Sequence, residues 1–89
     1  MSGLAASSLS WRGIQPGIAQ HAKTLAYDRR GLGWSRPSHR PATVENLNDD
    51  FHRLLQHAGA NSPFVLVAHS FGCHLARHYA ARYPGRVAG

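Results

Sequence analysis

Apolar and polar positions along the chain separate into segments of different period. Between residues 8 and 20, Leu9, Trp11, Ile14 and Ile18 are unevenly spaced, which predicts a modest helix. Pro16 weakens it, because proline inside a helix removes a hydrogen bond and crowds the preceding turn. Thr24-Leu25-Ala26-Tyr27 is a short run between Lys23 and Asp28 and predicts a short strand. Val44, Leu47, Phe51, Leu54, Leu55 and Ala58 recur at steps of three and four, one face of a helix. Thr43 is a fitting N-cap, Glu45 puts negative charge in the first turn, and Gly59 closes the helix. Asp49, Asp50, Arg53 and Gln56 form its solvated side. Phe64 to Ala68 is continuously apolar and rich in β-branched residues, which predicts a strand buried on both faces, as in a parallel sheet covered by helices. From Cys73 to Tyr83 a second helix turns Leu75, Ala76, Tyr79, Ala80 and Tyr83 inward, and Pro84-Gly85 ends it. Arg86-Val87-Ala88 begins a further strand. The order helix, strand, helix, strand, helix predicts an α/β layered fold with right-handed crossovers.

Between the first strand and the long helix, Asp28 to Pro41 is rich in Gly, Pro and Ser and reads as a loop. Asp28 and Arg30 are expected to organise it by hydrogen bonds, with Gly31 and Gly33 supplying backbone freedom.

Composition narrows the possibilities further. With 89 residues the chain is near the lower limit for one core, and 43% hydrophobic residues argue against wholesale disorder. No apolar run approaches the length of a membrane span, and the N-terminus lacks the charged region of a signal peptide, so no membrane partner is expected and a cytoplasmic location is the default. The single cysteine, Cys73, cannot form an intrachain disulfide; it reads as a small buried structural thiol. The net charge of +6 raises nucleic-acid binding as a possibility. However, Arg29, Arg30, Arg36 and Arg40 sit in one loop and the other basic residues are scattered, with no recognisable nucleic-acid module. Seven histidines offer no pair with ligand spacing and a third partner; His74 and His78, four apart, are weak alone. No metal site and no cofactor are expected.

The chemistry concentrates at Ala68-His69-Ser70-Phe71-Gly72, where an apolar strand runs through a serine directly into a helix. This is a nucleophile elbow with alanine at the first glycine position. A sharp strand-to-helix turn thrusts the serine oxygen clear, and small residues at Ala68 and Gly72 let backbones approach closely. The N–H groups opening the helix favour negative charge on a substrate oxygen. Ser70 is the candidate nucleophile and the Phe71 N–H one oxyanion donor. His69 flanks the serine with a structural role.

Three stretches together resemble the α/β-hydrolase family, in its serine hydrolase branch. Tyr27-Asp28-Arg29-Arg30-Gly31-Leu32-Gly33-Trp34-Ser35 is similar to the family's loop after its fourth strand, Leu66 to Gly72 to its fifth strand and elbow, and Ser7 to Arg12 to the segment after its oxyanion loop. The resemblance covers nearly the whole chain and implies one partial domain over residues 1–89, from an oxyanion-loop remnant to the helix after the elbow. The implied architecture is a partial three-layer α/β-hydrolase fold, with a mostly parallel sheet incomplete at both ends. The family's His-Gly-x oxyanion loop falls on Ser2-Gly3-Leu4, with serine in place of the histidine, which makes the Leu4 N–H the second oxyanion donor. Serine at position 70 implies ester or related acyl chemistry through an acyl-enzyme, on a small-molecule substrate of the full-length form.

In this fold the acid and the base histidine follow the serine in sequence. No aspartate or glutamate follows Ser70, and His74 and His78 lie on the helix leaving the elbow. A serine without a base is a poor nucleophile. The chain alone is therefore expected to be inactive and marginally folded, unless another chain supplies the missing sheet. The alternatives are a non-catalytic hydrolase-like remnant or scaffold, and then a basic nucleic-acid-binding module.

Overall fold

A computed structural model describes all residues, 1–89. The periodic segments are the ones that fold as regular structure. Helix α2, Val44–His57, opens with the Thr43 hydroxyl accepting from the Asn46 amide at 3.1 Å, and it buries Leu47, Asn48, Phe51 and Leu55. Helix α3, Phe71–Arg82, packs against it through Leu75 and Tyr79. Asn48 is completely buried between them, and its amide donates to the Leu75 carbonyl (3.1 Å) and to His78 Nδ1 (3.0 Å). The weakly periodic N-terminal region breaks into a 3-10 helix at Ser8–Trp11 and a five-residue α1 at Gln15–Ala19. Pro16 lies in the first turn of α1, where its missing N–H costs nothing.

The core is Phe51, Leu55 and Tyr79, with Tyr27, Phe64, Leu66, Tyr83 and Val87 packed round it. The Phe51 ring stacks on Tyr27 and meets Tyr79 edge-on, each at 5.0 Å between centroids. A folded monomer of this mass exposes about 5,100 Å². This chain exposes 6002 Å², so the core is open on one side.

The mostly parallel sheet expected from the sequence is absent, and with it the three-layer arrangement. Thr24–Tyr27 is in no regular element, and its main chain makes no hydrogen bond. The segment 64–68 is extended. It carries one isolated parallel bridge, Phe64 with Val87, made by Phe64 N–H to Arg86 O (2.8 Å) and Ala88 N–H to Phe64 O (2.7 Å). On its other side only Met1 pairs with it, the N-terminal nitrogen donating to Val67 O and the Met1 carbonyl accepting from His69 N–H. A strand exists through its neighbours, and these two segments face each other across an open cleft. The expectation that residues 64–68 are buried on both faces is corrected as well. Helices cover only the side holding Phe64 and Leu66, and Val65 and Val67 are 72% and 52% exposed.

Candidate active site

The elbow forms at the junction of the extended segment and α3. Ser70 has φ 53° and ψ −123°, a conformation that side-chain-bearing residues rarely adopt. Two turn bonds lock it there, Gly72 N–H to His69 O at 3.0 Å and Cys73 N–H to Ser70 O at 2.9 Å. Ser70 stands at the N-cap position of α3, yet its hydroxyl caps nothing, and the residue is exposed. A serine there would ordinarily bond to the helix's first amides. This one leaves both its oxygen and the Phe71 N–H unused.

The N-terminal turn lies against the elbow. A β-carbon on Gly3 would stand 3.2 Å from His69 Nδ1 and 3.4 Å from Ser70 Cβ, so Gly3 touches the serine. Gly3 O accepts from Ala6 N–H in a turn that leaves the Leu4 N–H without an acceptor in the chain, with Leu4 itself 76% exposed. Gly72 fits equally closely. A β-carbon there would lie 2.3 Å from Met1 O and 2.8 Å from Ser2 O. The small residue thus admits the Met1–Ser2 backbone. Gly3 is thus brought against His69 and Ser70, with Leu4 next to it in the turn and Phe71 next to Ser70 in the helix.

The remaining sequence-predicted residues sit further out. The Asp28 carboxylate accepts from the Ser8 amide at 2.6 Å and the Trp34 amide at 3.1 Å. Those two backbone bonds, Ser8 first, hold its pKa below the ordinary value. The carboxylate occupies the space beside Gly33, which adopts φ 52°. Arg30 instead ties the loop to α2, donating to Asp50, to Arg40 O at 3.1 Å and to Asn46 O at 3.2 Å. Gly31, at φ 72°, bonds to Arg36 O and turns the loop. Cys73 is exposed, contrary to its reading as a packed thiol, because the strand expected to cover it makes no sheet. No group of three potential ligands could hold a metal. No side chain hydrogen-bonds to the Ser70 hydroxyl. His78 is engaged by Asn48, His52 Nδ1 lies 3.0 Å from the Tyr79 hydroxyl, and the His74 ring lies against Phe71.

Two residues to which the sequence assigned no role of this kind, Arg29 and Ser2, hold this site together. Arg29, only 6% exposed, donates from Nη1 to Ser2 O at 2.5 Å and from Nη2 to Gly3 O. Its guanidinium also lies 5.5 Å from the centre of the Phe71 ring. Ser2, 3% exposed, accepts from Trp11 Nε1 at 3.1 Å and donates to Ser7 O at 2.9 Å. One available signal was the pair Arg29-Arg30 itself. In the structure the two turn opposite ways, Arg29 toward the elbow and Arg30 toward α2.

Comparison with known proteins places the chain in a family. The α/β-hydrolase fold model matches residues 1–89 in full. The chain belongs to the α/β-hydrolase family. An AB hydrolase superfamily protein of Gibberella zeae is 32% identical to this hydrolase-family chain over 85 residues, covering 92% of the chain and 26% of that protein. A probable transporter, efuK, of Hormonema carpetanum is 36% identical over 66 residues, 72% of the chain and 10% of that protein. A cis-3-alkyl-4-alkyloxetan-2-one decarboxylase of Xanthomonas campestris is 28% identical over 85 residues, 86% of the chain and 28% of that protein. The chain therefore spans between 10% and 28% of the length of these three relatives. No helix of this family member is long and apolar enough to cross a membrane.

Proposed function

We propose that Ser70 is the nucleophile of a serine hydrolase acting on an ester or related acyl substrate. One observation carries the reading: a strained, uncapped serine at the mouth of a helix, with the unused Phe71 N–H beside it and the Leu4 N–H on a turn that touches it. In the reaction the Ser70 oxygen attacks the carbonyl carbon and its proton passes to a base. The two amides receive the developing oxyanion, as preorganised donors do. The carbon–oxygen bond to the alcohol then breaks, and the alcohol leaves with the proton. Water next attacks the acyl-enzyme, returns a proton to Ser70 and releases the acid. This reading requires a base and a carboxylate from outside these residues, since no side chain here hydrogen-bonds to the Ser70 hydroxyl. The Xanthomonas relative is named for acting on an oxetan-2-one, a cyclic ester, although the reaction in its name is decarboxylation and not hydrolysis.

Fluorophosphonate labelling tests the assignment. In a longer form carrying the base, the probe is expected to label wild type and not Ser70→Ala. Labelling that survives Ser70→Ala would overturn it. The 89-residue chain alone is expected to stay unlabelled. A remnant with no catalytic role would stay unlabelled in every form.

A further inference from the structure

Arg29 is buried and makes no ion pair. A cation withdrawn from water without a counter-ion is costly unless carbonyls or an aromatic face take up its charge. Two carbonyls and one ring do so here. Nη1 donates to Ser2 O at 2.5 Å, Nη2 donates to Gly3 O, and the guanidinium lies 5.5 Å from the centre of the Phe71 ring. One guanidinium takes two successive carbonyls, so the chain from Ser2 to Leu4 curls round it. Ala5 completes the turn at φ 55°, a left-handed conformation uncommon for a residue with a side chain.

A peptide unit is planar and trans, so its C=O and N–H point in opposite directions. Holding Ser2 O and Gly3 O on the guanidinium therefore turns the Gly3 and Leu4 N–H groups away from it. Neither amide makes a hydrogen bond within the chain. Successive free amides on a curled backbone form a concavity that favours negative charge. A hydrogen bond from a cation also polarises the peptide it holds, which makes the amide at the other end a better donor. Gly3 O accepts from Ala6 N–H as well, at 3.2 Å, so two donors fix the Gly3–Leu4 unit.

We infer that Arg29 is the positioning residue of the oxyanion site: its fork on Ser2 O and Gly3 O aims the Leu4 N–H, and its charge stands behind that amide. The inference rests on the reading of Ser70 as nucleophile and of Phe71 and Leu4 as oxyanion donors. Arg29 touches no reacting atom and acts through the two peptide units it holds. Lysine is no substitute, because a single ammonium lacks the rigid fork that takes both carbonyls.

Backbone amide relaxation of the 89-residue chain tests the aim of the amide apart from any chemistry. In wild type the Leu4 N–H is expected to be as ordered as α2, with an order parameter of about 0.85, and in Arg29→Met to fall below about 0.6 while α2 and α3 keep theirs. Arg29→Lys, the milder change, is expected to fall between the two and decides the matter where Arg29→Met does not fold. A Leu4 N–H equally ordered in wild type and variants would overturn the inference. So would a loss of order spread evenly over α2 and α3, the mark of an arginine that only supports the fold. Fluorophosphonate labelling of a longer form carrying the base tests the link to chemistry. Losing one oxyanion donor slows reaction about 10²–10³-fold, so Arg29→Met is expected to slow labelling about a hundredfold and Arg29→Lys about tenfold, with Ser70 still required. An unchanged labelling rate would overturn the oxyanion role of Arg29 while Ser70 stands. Labelling that survives Ser70→Ala would defeat the Ser70 reading and that role together, whereas the aim of the amide is decided by relaxation alone.

Discussion

Replacing Ser70 by glycine is expected to stabilise the chain, although it deletes the proposed nucleophile. The side chain makes no hydrogen bond and is exposed, so its removal costs no contact. What it removes is a β-carbon held at φ 53° and ψ −123°. Side-chain-bearing residues in such sparsely populated regions cost about 1–3 kcal/mol, and glycine relieves most of that. Against this, glycine frees the unfolded chain by about 0.5–1 kcal/mol. The balance is a gain of about 1 kcal/mol, roughly 4–8 °C in Tm for a chain of this size. Ser70→Ala keeps the β-carbon and is expected to change little. Arg77, exposed in the middle of α3, supplies the internal control. There Gly should be about 1 kcal/mol worse than Ala, the ordinary helix result. Thermal unfolding of the four variants, followed by helical circular dichroism, reads the comparison directly. If glycine is no better than alanine at position 70 while the Arg77 pair behaves normally, the elbow is unstrained and the argument for a held nucleophile fails.

Other consequences are equally concrete. Arg29→Met removes both donors that hold Ser2 and Gly3, and should cost about 3 kcal/mol in urea unfolding; Arg29→Lys should recover only part, since one ammonium cannot reproduce the two-pronged fork. Gly72→Ala drives a β-carbon into the Met1 and Ser2 carbonyls and should cost about 1–3 kcal/mol despite alanine's better helix propensity, with faster amide exchange at His69 as the local sign. Burial raises the Tyr27 pKa from 10.0 to about 12. Because the folded value is the higher one, stability is independent of this group below pH 10 and falls as pH rises from 10 toward 12, where the unfolded chain ionises first; Tyr27→Phe should flatten that alkaline decline. Tyr27→Phe should also add about 1 kcal/mol at neutral pH, because the hydroxyl is buried without a partner.

The parts legible in the sequence were those set by local rules. Helix α2 follows from its period and Thr43, the loop from its glycines and prolines, and the elbow from a serine between an apolar run and a helix. Pairing was not legible. Residues 24–27 and 64–68 have the composition of strands, yet a ladder requires neighbours at the right distance, and a run of apolar residues carries no record of them. The same gap explains the exposed faces of Val65 and Val67, and of Cys73, which were all assigned to a covered interior. Arg29 was missed because a charged residue in a polar loop is ordinarily solvated; its burial follows from where Ser2 and Gly3 lie, far away in sequence.

The uncovered stretch from Phe64 to Ala68 has a bearing on how the molecule behaves in a crowd. It is uncharged, free of internal proline and rich in valine, the composition that seeds intermolecular cross-β stacking when an edge is bare. What keeps copies apart is mutual repulsion, since every chain carries a formal charge of +6. That repulsion reaches about 30 Å at 0.01 M ionic strength and only about 8 Å at 0.15 M. Colloidal stability should therefore fall as salt rises, and fibrous or amorphous deposits should form first in buffers that screen charge without unfolding α2 and α3.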